Sequence, residues 1–271
     1  MFASNSIMHQ NLRVITYNIR LNLPGDGLNA WPNRKNKVIE LLNFYQADIL
    51  GLQEALKGQI EDIHTQLSNM EWVGVGRDDG EKAGEFSPIF YNSIKFKAIK
   101  KGWFWLSETP EKPGLGWDAA CNRVCTWIVL NEKKSKNKLM VFNTHFDHLG
   151  NQARIESAKL ILDKIKALNK ANLPVILTGD FNLTPEQEPI TIITNKLTDS
   201  RSICREIFGP TGTFNGFNFD GPLKDRIDYI FVNDQIEIKQ YKVLTDSKDR
   251  RYPSDHLPVF VILELKAERK N

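Results

Sequence analysis

Apolar residues recur along this chain in two rhythms. Leu12 to Tyr17 alternates β-favouring residues and predicts a strand. Trp31-Pro32 opens a helix with proline at its tolerated first turn, and Val38, Leu41, Leu42 and Tyr45 follow at helical spacing. Ala47 to Leu52 is a second apolar strand, ending at Gln53-Glu54, and Ile60, Ile63 and Leu67 mark another helix. From Trp72 to about Leu130 the period is mostly two, with strands at Phe86 to Tyr91, Phe96 to Phe104 and Val124 to Leu130. Lys133 to Lys138 is a polar hairpin tip, returning through Leu139 to Asn143. Ile155, Ala158, Ile161, Leu162, Ile165 and Leu168 form an amphipathic stripe and predict a helix. Leu173 to Leu177 reads as a strand. A short helical segment follows Asn182, then a loop rich in Gly, Phe and Asn from Gly209 to Gly221. Strands at Ile227 to Val232, Ile236 to Val243 and Leu257 to Leu263 close the chain.

Strands outnumber helices, many are joined as hairpins, and two helices pack outside. This predicts a strand-dominated α/β sandwich rather than a strictly parallel wound sheet. There is no internal repeat, low-complexity tract or Pro/Gly/Ser-rich linker, so one continuous domain is expected over residues 12–266, after a tail at 1–11. Hydrophobic content of 41% and charged content of 25% are those of an ordinary globule. The 36 basic and 33 acidic residues leave a net charge of +3, which does not by itself argue for nucleic acid. Cys121, Cys125 and Cys204 are expected as reduced thiols, and no second Cys/His pair accompanies Cys121 and Cys125 to make a zinc site. Met1 to Leu12 lacks the pattern of a signal peptide, and no stretch approaches the roughly 20 apolar residues of a membrane span. The expected location is the cytoplasm.

Polar residues recur where strands end. Asn18 follows the first, Glu54 the second, His145 the Leu139 to Thr144 run, and Asp180 and Asn182 the next. Asp228 sits inside Arg226-Ile227-Asp228-Tyr229, and Asp255-His256 precede the last strand. Singly, each reads as a turn, a cap or a surface pair. Together they place carboxylates, amides and imidazoles at the rim of a sheet. That is costly for a core and useful for holding a divalent cation beside a general base.

The set Asn18, Gln53-Glu54, Asn143-Thr144-His145, Gly179-Asp180-Phe181-Asn182, Asp228-Tyr229-Ile230-Phe231 and Ser254-Asp255-His256 resembles the endonuclease/exonuclease/phosphatase superfamily. The resemblance runs in order from Leu12 to Leu265. It implies a four-layer α/β sandwich of two packed, mainly antiparallel mixed sheets flanked by helices. It also implies Mg²⁺- or Mn²⁺-dependent attack of water on a phosphate ester. By this resemblance Glu54 is the principal metal ligand with Asn18 beside it, and Asp180 and Asn182 hold the attacking water. Asp255 either completes a metal site or fixes the loop. His256, paired with Asp228, acts either as general base or as a cationic clamp. His145 contacts the phosphate or protonates the leaving oxygen, with Glu85 supporting it as in the deoxyribonuclease branch.

Arg123 and Arg154 are candidates for a phosphate fork, each weighed against an ordinary surface arginine. Asp147 and His148 sit beside His145 and could reach the same mouth, whereas His64 and His9 are expected to be solvated. Trp31, Trp103, Trp105 and Trp117 either stack on a base or sugar at the site mouth or pack under long loops. The basic runs Lys133-Lys134-Ser135-Lys136 and Lys248-Asp249-Arg250-Arg251 read first as solvated tips. Leu223 to Asp228 lacks the Trp-Cys-Asp-Arg signature of the inositol-phosphatase branch. Gly-Asp-Phe-Asn, Ile-Asp-Tyr-Ile-Phe and Pro-Ser-Asp-His look most like the deadenylase/nocturnin neighbourhood, and Phe104 to Asp118 resembles a bacterial branch of stand-alone hydrolases. The expected function is metal-dependent hydrolysis of a phosphodiester in a nucleic acid or nucleotide, the expected partner being that phosphate-ester substrate, a single-stranded nucleic acid or a nucleotide. The alternatives are a phosphomonoesterase, a sphingomyelinase-like lipid phosphodiesterase and, last, a non-catalytic binding module.

Overall fold

The strands of this chain assemble into two sheets whose polar ends converge. The computed structural model describes residues 11–266. The expected tail, Asn11 apart, and His9 lie outside those residues. In chain order the elements begin with β1 (Leu12–Asn18), α1 (Trp31–Tyr45), β2 (Ile49–Gln53), α2 (Lys57–Gln66), β3 (Met70–Val73) and β4 (Ile89–Asn92). They continue through β5 (Phe96–Trp105), β6 (Val124–Glu132), β7 (Lys138–His145), α3 (Asn151–Leu168), β8 (Val175–Asp180) and α4 (Glu188–Thr194). The last are β9 (Thr198–Asp199), α5 (Ser200–Ile203), β10 (Glu206–Phe208), β11 (Asp228–Val232), β12 (Ile236–Val243) and β13 (Val259–Leu265).

One sheet has seven strands in the order β10-β12-β13-β1-β2-β4-β3, and the other six in the order β5-β6-β7-β8-β11-β9. Most pairs are antiparallel, but β1/β2, β7/β8 and β10/β12 are parallel. The first two parallel pairs are each joined by a helical crossover, through α1 and α3. Val14, Ile49, Val141, Ile176 and Ile230 are among the side chains that fill the space between the sheets. Ile15, Leu50 and Leu52 turn the other way, against Val38, Leu42, Ile60 and Ile63 of α1 and α2. Phe142, Leu177 and Phe231 pack on Ala158, Ile161 and Ile193 of α3 and α4. The result is the four-layer α/β sandwich the resemblance implies, with a helical layer on each side rather than two helices in all.

Two differences from the sequence reading have local causes. Phe86 makes only isolated bridges, to Ala55 and Gly76, and the strand proper starts at Ile89, because Pro88 cannot donate to the ladder. His64 is half-buried rather than solvated, its ring edge-on to Phe90 at 6.4 Å.

A buried polar network ties the sheets together beneath their converging ends. Asn143 Nδ2 donates to the Leu52 and Pro88 carbonyls, and its Oδ1 accepts from Gln53 Nε2 and Thr178 Oγ1. Gly51 permits the approach: a Cβ there would lie 2.4 Å from Thr178 Oγ1 and 2.6 Å from Asn143 Oδ1. Register then aligns the polar strand ends. Asn18 pairs with Gln53, His145 with Asp180, and Asp180 with Asp228.

Candidate active site

Glu54 follows β2 in a left-handed conformation, φ 57°, which turns the chain out of the sheet. Its carboxylate accepts from Asn18 Nδ2 at 3.0 Å and from the Leu21 N–H at 3.1 Å. Asn18 Nδ2 also donates to Asp180 Oδ2 at 2.9 Å, so one buried amide links the two carboxylates. Asp255 arrives on the loop before β13, where Ser254 Oγ donates to the Asn18 carbonyl at 2.8 Å and lies 3.2 Å from Asp255 Oδ1. Burial pushes the Asp255 carboxyl up; Glu54 adds to this, while His256 and Arg20 oppose it. The Arg20 guanidinium lies 3.8 Å from Glu54 and 3.9 Å from Asp255 but is hydrogen-bonded to Asp26.

His256 Nδ1 donates to Asp228 Oδ2 at 2.9 Å, and its Nε2 lies 3.7 Å from Asp180 Oδ2. Burial disfavours charge on this ring, but Asp228 and Asp180 outweigh it and hold the imidazole well above its ordinary pKa. Asp180 itself is raised to about 7, by burial first and by Asp228 second. His145 is held well below its ordinary value by burial and by Arg123 and Arg77, so its ring is neutral. The tautomer follows from its neighbour. Asn182 Nδ2 donates to the Phe146 carbonyl and lies 3.0 Å from His145 Nε2, so it donates there too. The proton of His145 therefore sits on Nδ1, 3.7 Å from Glu85 Oε2. Burial holds the Glu85 carboxyl above its ordinary value, against the opposing pull of Arg77 Nη1 at 2.8 Å.

These residues line a cleft of about 420 Å³ that carries both signs of charge: Glu54, Asp180 and Asp255 with Arg77, Arg123 and His256. A larger hollow of about 500 Å³, beside Trp31, Gln59 and Asp62, contains none of the strand-end residues. Arg123 is 5% exposed, with Nη2 3.1 Å from His148 Nδ1. Its Nε and Nη1, and Arg77 Nε, have no hydrogen-bond partner. Glu54 and Asp255 offer hard carboxylate oxygens, and the crowding of one on the other is of the kind a divalent cation relieves, so the pair fits Mg²⁺ or Mn²⁺. Asn18 turns its Nδ2 to Glu54 while its Oδ1 accepts from the Arg20 N–H, so it orients the Glu54 carboxylate from behind rather than offering an oxygen of its own. Asp180, Asp228 and His256 also bring ligand-type atoms within 4.8 Å, but His256 Nδ1 is occupied by Asp228. Cys121, Asp147 and His148 do likewise. There the Asp147 carboxylate is taken up by the Ala120, Leu149 and Gly150 N–H groups and by Arg123, and works as a loop clasp.

Of the residues singled out in the sequence, Glu54, Glu85, Arg123, His145, Asp180, Asn182, Asp255 and His256 line the cleft together. Asn18 and Asp228 stand buried behind them. Arg154 is not brought to the cleft: its guanidinium goes to the His148 and Asn182 carbonyls and to Asn151. Trp31 and Trp105 are buried, donating to Asp62 and to the Arg77 carbonyl, and Trp103 and Trp117 do not line the cleft either. The sequence reading missed Arg20, Arg77 and Phe214. Arg20 lay two residues past Asn18, and Phe214 within the Gly/Phe/Asn loop. Arg77, in a polar loop, gave no signal.

The model of the Endonuclease/Exonuclease/phosphatase family matches residues 15–256, and this chain belongs to that family. It is a hydrolase acting on phosphate esters. A family protein of solved structure from Bacteroides thetaiotaomicron is 38% identical, with a TM-score of 0.92 over 96% of this chain and 99% of its own. A mannosyl-6-phosphatase from the same organism is 40% identical, with a TM-score of 0.90 over 93% of this chain and 99% of its own. The 3'-5'-exoribonuclease subunit Ccr4 of the CCR4-Not complex of Mycosarcoma maydis is 22% identical over 94% of this chain, which spans 50% of that protein's length. Among the described residues no helix is long and apolar enough to cross a membrane.

Proposed function

We propose that this chain is a divalent-cation-dependent phosphomonoesterase that removes a phosphoryl group from a phosphorylated sugar. The observation that carries the reading is the pair of arginines that line the cleft beside the carboxylate cluster, Arg77 and Arg123, the second with an Nη1 that has no hydrogen-bond partner. A terminal phosphoryl group is a dianion with oxygens to spare for such donors, whereas a diester has fewer. The 40% identity to a mannosyl-6-phosphatase over nearly the whole of both chains supports the same reading. Among the described residues no tryptophan lines the cleft to stack on a base.

Glu54 and Asp255, with Asn18 behind them, are the residues that would hold Mg²⁺ or Mn²⁺, whose contribution when bound is to neutralise charge on the phosphoryl oxygens. Asp180, titrating at about 7, is matched to accept a proton from water at neutral pH. His256 is the cationic clamp rather than the base, because its imidazole is already charged between Asp228 and Asp180. His145 is neutral and accepts from the Asn182 side-chain amide, so it helps to fix Asn182, whose backbone N–H donates to Asp180 Oδ1, instead of protonating the leaving oxygen.

The test is inorganic phosphate release from mannose 6-phosphate and glucose 6-phosphate with Mg²⁺, alongside bis(p-nitrophenyl) phosphate and an end-labelled oligoribonucleotide. Phosphate from the sugars and little diester cleavage is the expected result. Shortening of the RNA with inert sugar phosphates would overturn it in favour of a 3'-5' exonuclease. That second reading is favoured by the likeness to Ccr4 and by the half-exposed ring of Phe214 at the cleft rim, 5.1 Å from His256.

A further inference from the structure

Arg34 does not touch the cleft, yet it joins the segments that carry the cation ligands. It lies in the first turn of α1 and is 3% exposed. Its guanidinium donates to the carbonyls of Asn29 (2.7 Å), Ile19, Arg20, Leu21 (3.4 Å) and Pro253 (3.2 Å). All five acceptors are backbone oxygens. The rings of Trp31 and Phe217 hold the guanidinium plane, at 5.1 and 5.8 Å from its carbon.

The acceptors fall at telling places. Ile19 follows Asn18, and the Leu21 N–H donates to Glu54. Pro253 precedes Ser254-Asp255, and Ser254 Oγ donates to the Asn18 carbonyl at 2.8 Å. Two loops that lie 236 residues apart in sequence at Asn18 and Ser254 meet on a single side chain. A buried guanidinium matched only to carbonyls gains little stability over an apolar residue of its size. What it gains is a fixed distance between the two loops.

We propose that Arg34 is the positioning residue of the cation site: it sets the separation of Asp255 from Asn18 and Glu54, and Ser254 completes the same joint. This rests on the cation-site reading above. The fork matters as well as the charge, because the three donors of an ammonium group cannot meet five acceptors.

The experiment is Mn²⁺ titration of the chelator-stripped full chain by calorimetry, with thermal unfolding of the metal-free protein beside it. Arg34→Lys and, separately, Ser254→Ala should weaken Mn²⁺ binding by about 10- to 100-fold, as loss of an outer hydrogen bond to a metal site does. The double variant should cost less than the product of the two, because both act on one joint. A lower melting temperature with unchanged Mn²⁺ affinity would mean that Arg34 only stabilises the fold, and would overturn the proposal. Should Arg34→Lys fail to fold, Ser254→Ala with unaltered Mn²⁺ binding would overturn it equally. Glu54→Gln separates the two levels. If it too leaves Mn²⁺ binding unchanged, the cation site itself is wrongly placed; if it alone weakens binding, only the role of Arg34 falls.

Discussion

The imidazole of His256 donates from Nδ1 to Asp228 Oδ2 at 2.9 Å, in a pocket where both residues are almost wholly buried. Asp228 stands on β11 and His256 on the loop before β13, so the dyad links the two sheets at the cleft. The carboxylate fixes the ring's orientation and keeps its charge. Asp228→Asn removes the charge while keeping the shape. It should lower turnover by roughly 10²- to 10³-fold, the span of one donor lost from the groups that stabilise developing charge. His256→Ala should fall at least as far, with the fold retained by circular dichroism. Near-parent turnover in either variant contradicts the role given to the dyad.

Asp180 carries a stability signature of its own. Its folded pKa, about 7, lies above the unfolded carboxylate value. The folded state therefore binds its proton more tightly. The stability this contributes is fully present below the unfolded pKa and is lost as pH rises through the folded one. In metal-free protein, Asp180→Asn should thus gain on the parent steadily between about pH 4 and about pH 7. Urea unfolding at several pH values measures the difference. A difference independent of pH would mean that Asp180 is not perturbed.

Arg123 lines the cleft, and its Nη1 has no hydrogen-bond partner. Arg123→Met should raise KM, and the inhibition constant of inorganic phosphate, by about 10- to 100-fold, since a hydrogen bond to a charged group is worth roughly 1.5–3 kcal/mol. Arg123→Lys should recover only part, having charge without the fork. Unchanged phosphate inhibition in both would take Arg123 out of substrate binding. Arg154→Met, by contrast, should leave phosphate inhibition as it is, because its guanidinium is committed to loop carbonyls.

Gly51 tests the joint between the sheets. Its added Cβ would collide with Thr178 and Asn143, so Gly51→Ala should cost about 1–3 kcal/mol in denaturant unfolding. Full stability in this variant would show that the polar network shifts freely.

Much of this architecture was legible because period-two strands and one strong helical stripe are local patterns. The strand-end residues Asn18, Glu54, His145 and Asp180 were legible for the same reason: a polar group following an apolar run is visible in one dimension. Their meeting was not, since it depends on the registers Asn18 to Gln53 and His145 to Asp180, which only packing sets. β9, α5 and β10 hold two to four residues each, too few to carry a period. Arg154 and Arg123 looked alike in sequence. What separates them is that nearby loop carbonyls bind one guanidinium, while the other is buried in the cleft wall.

The most direct measurement is initial-rate phosphate release from mannose 6-phosphate by chelator-stripped protein as Mg²⁺ is added back, with Asp180→Asn in parallel. No release without the cation, saturable recovery in the parent and no recovery in the variant are expected. Release that persists in excess chelator, or that Asp180→Asn sustains, would contradict the proposed function.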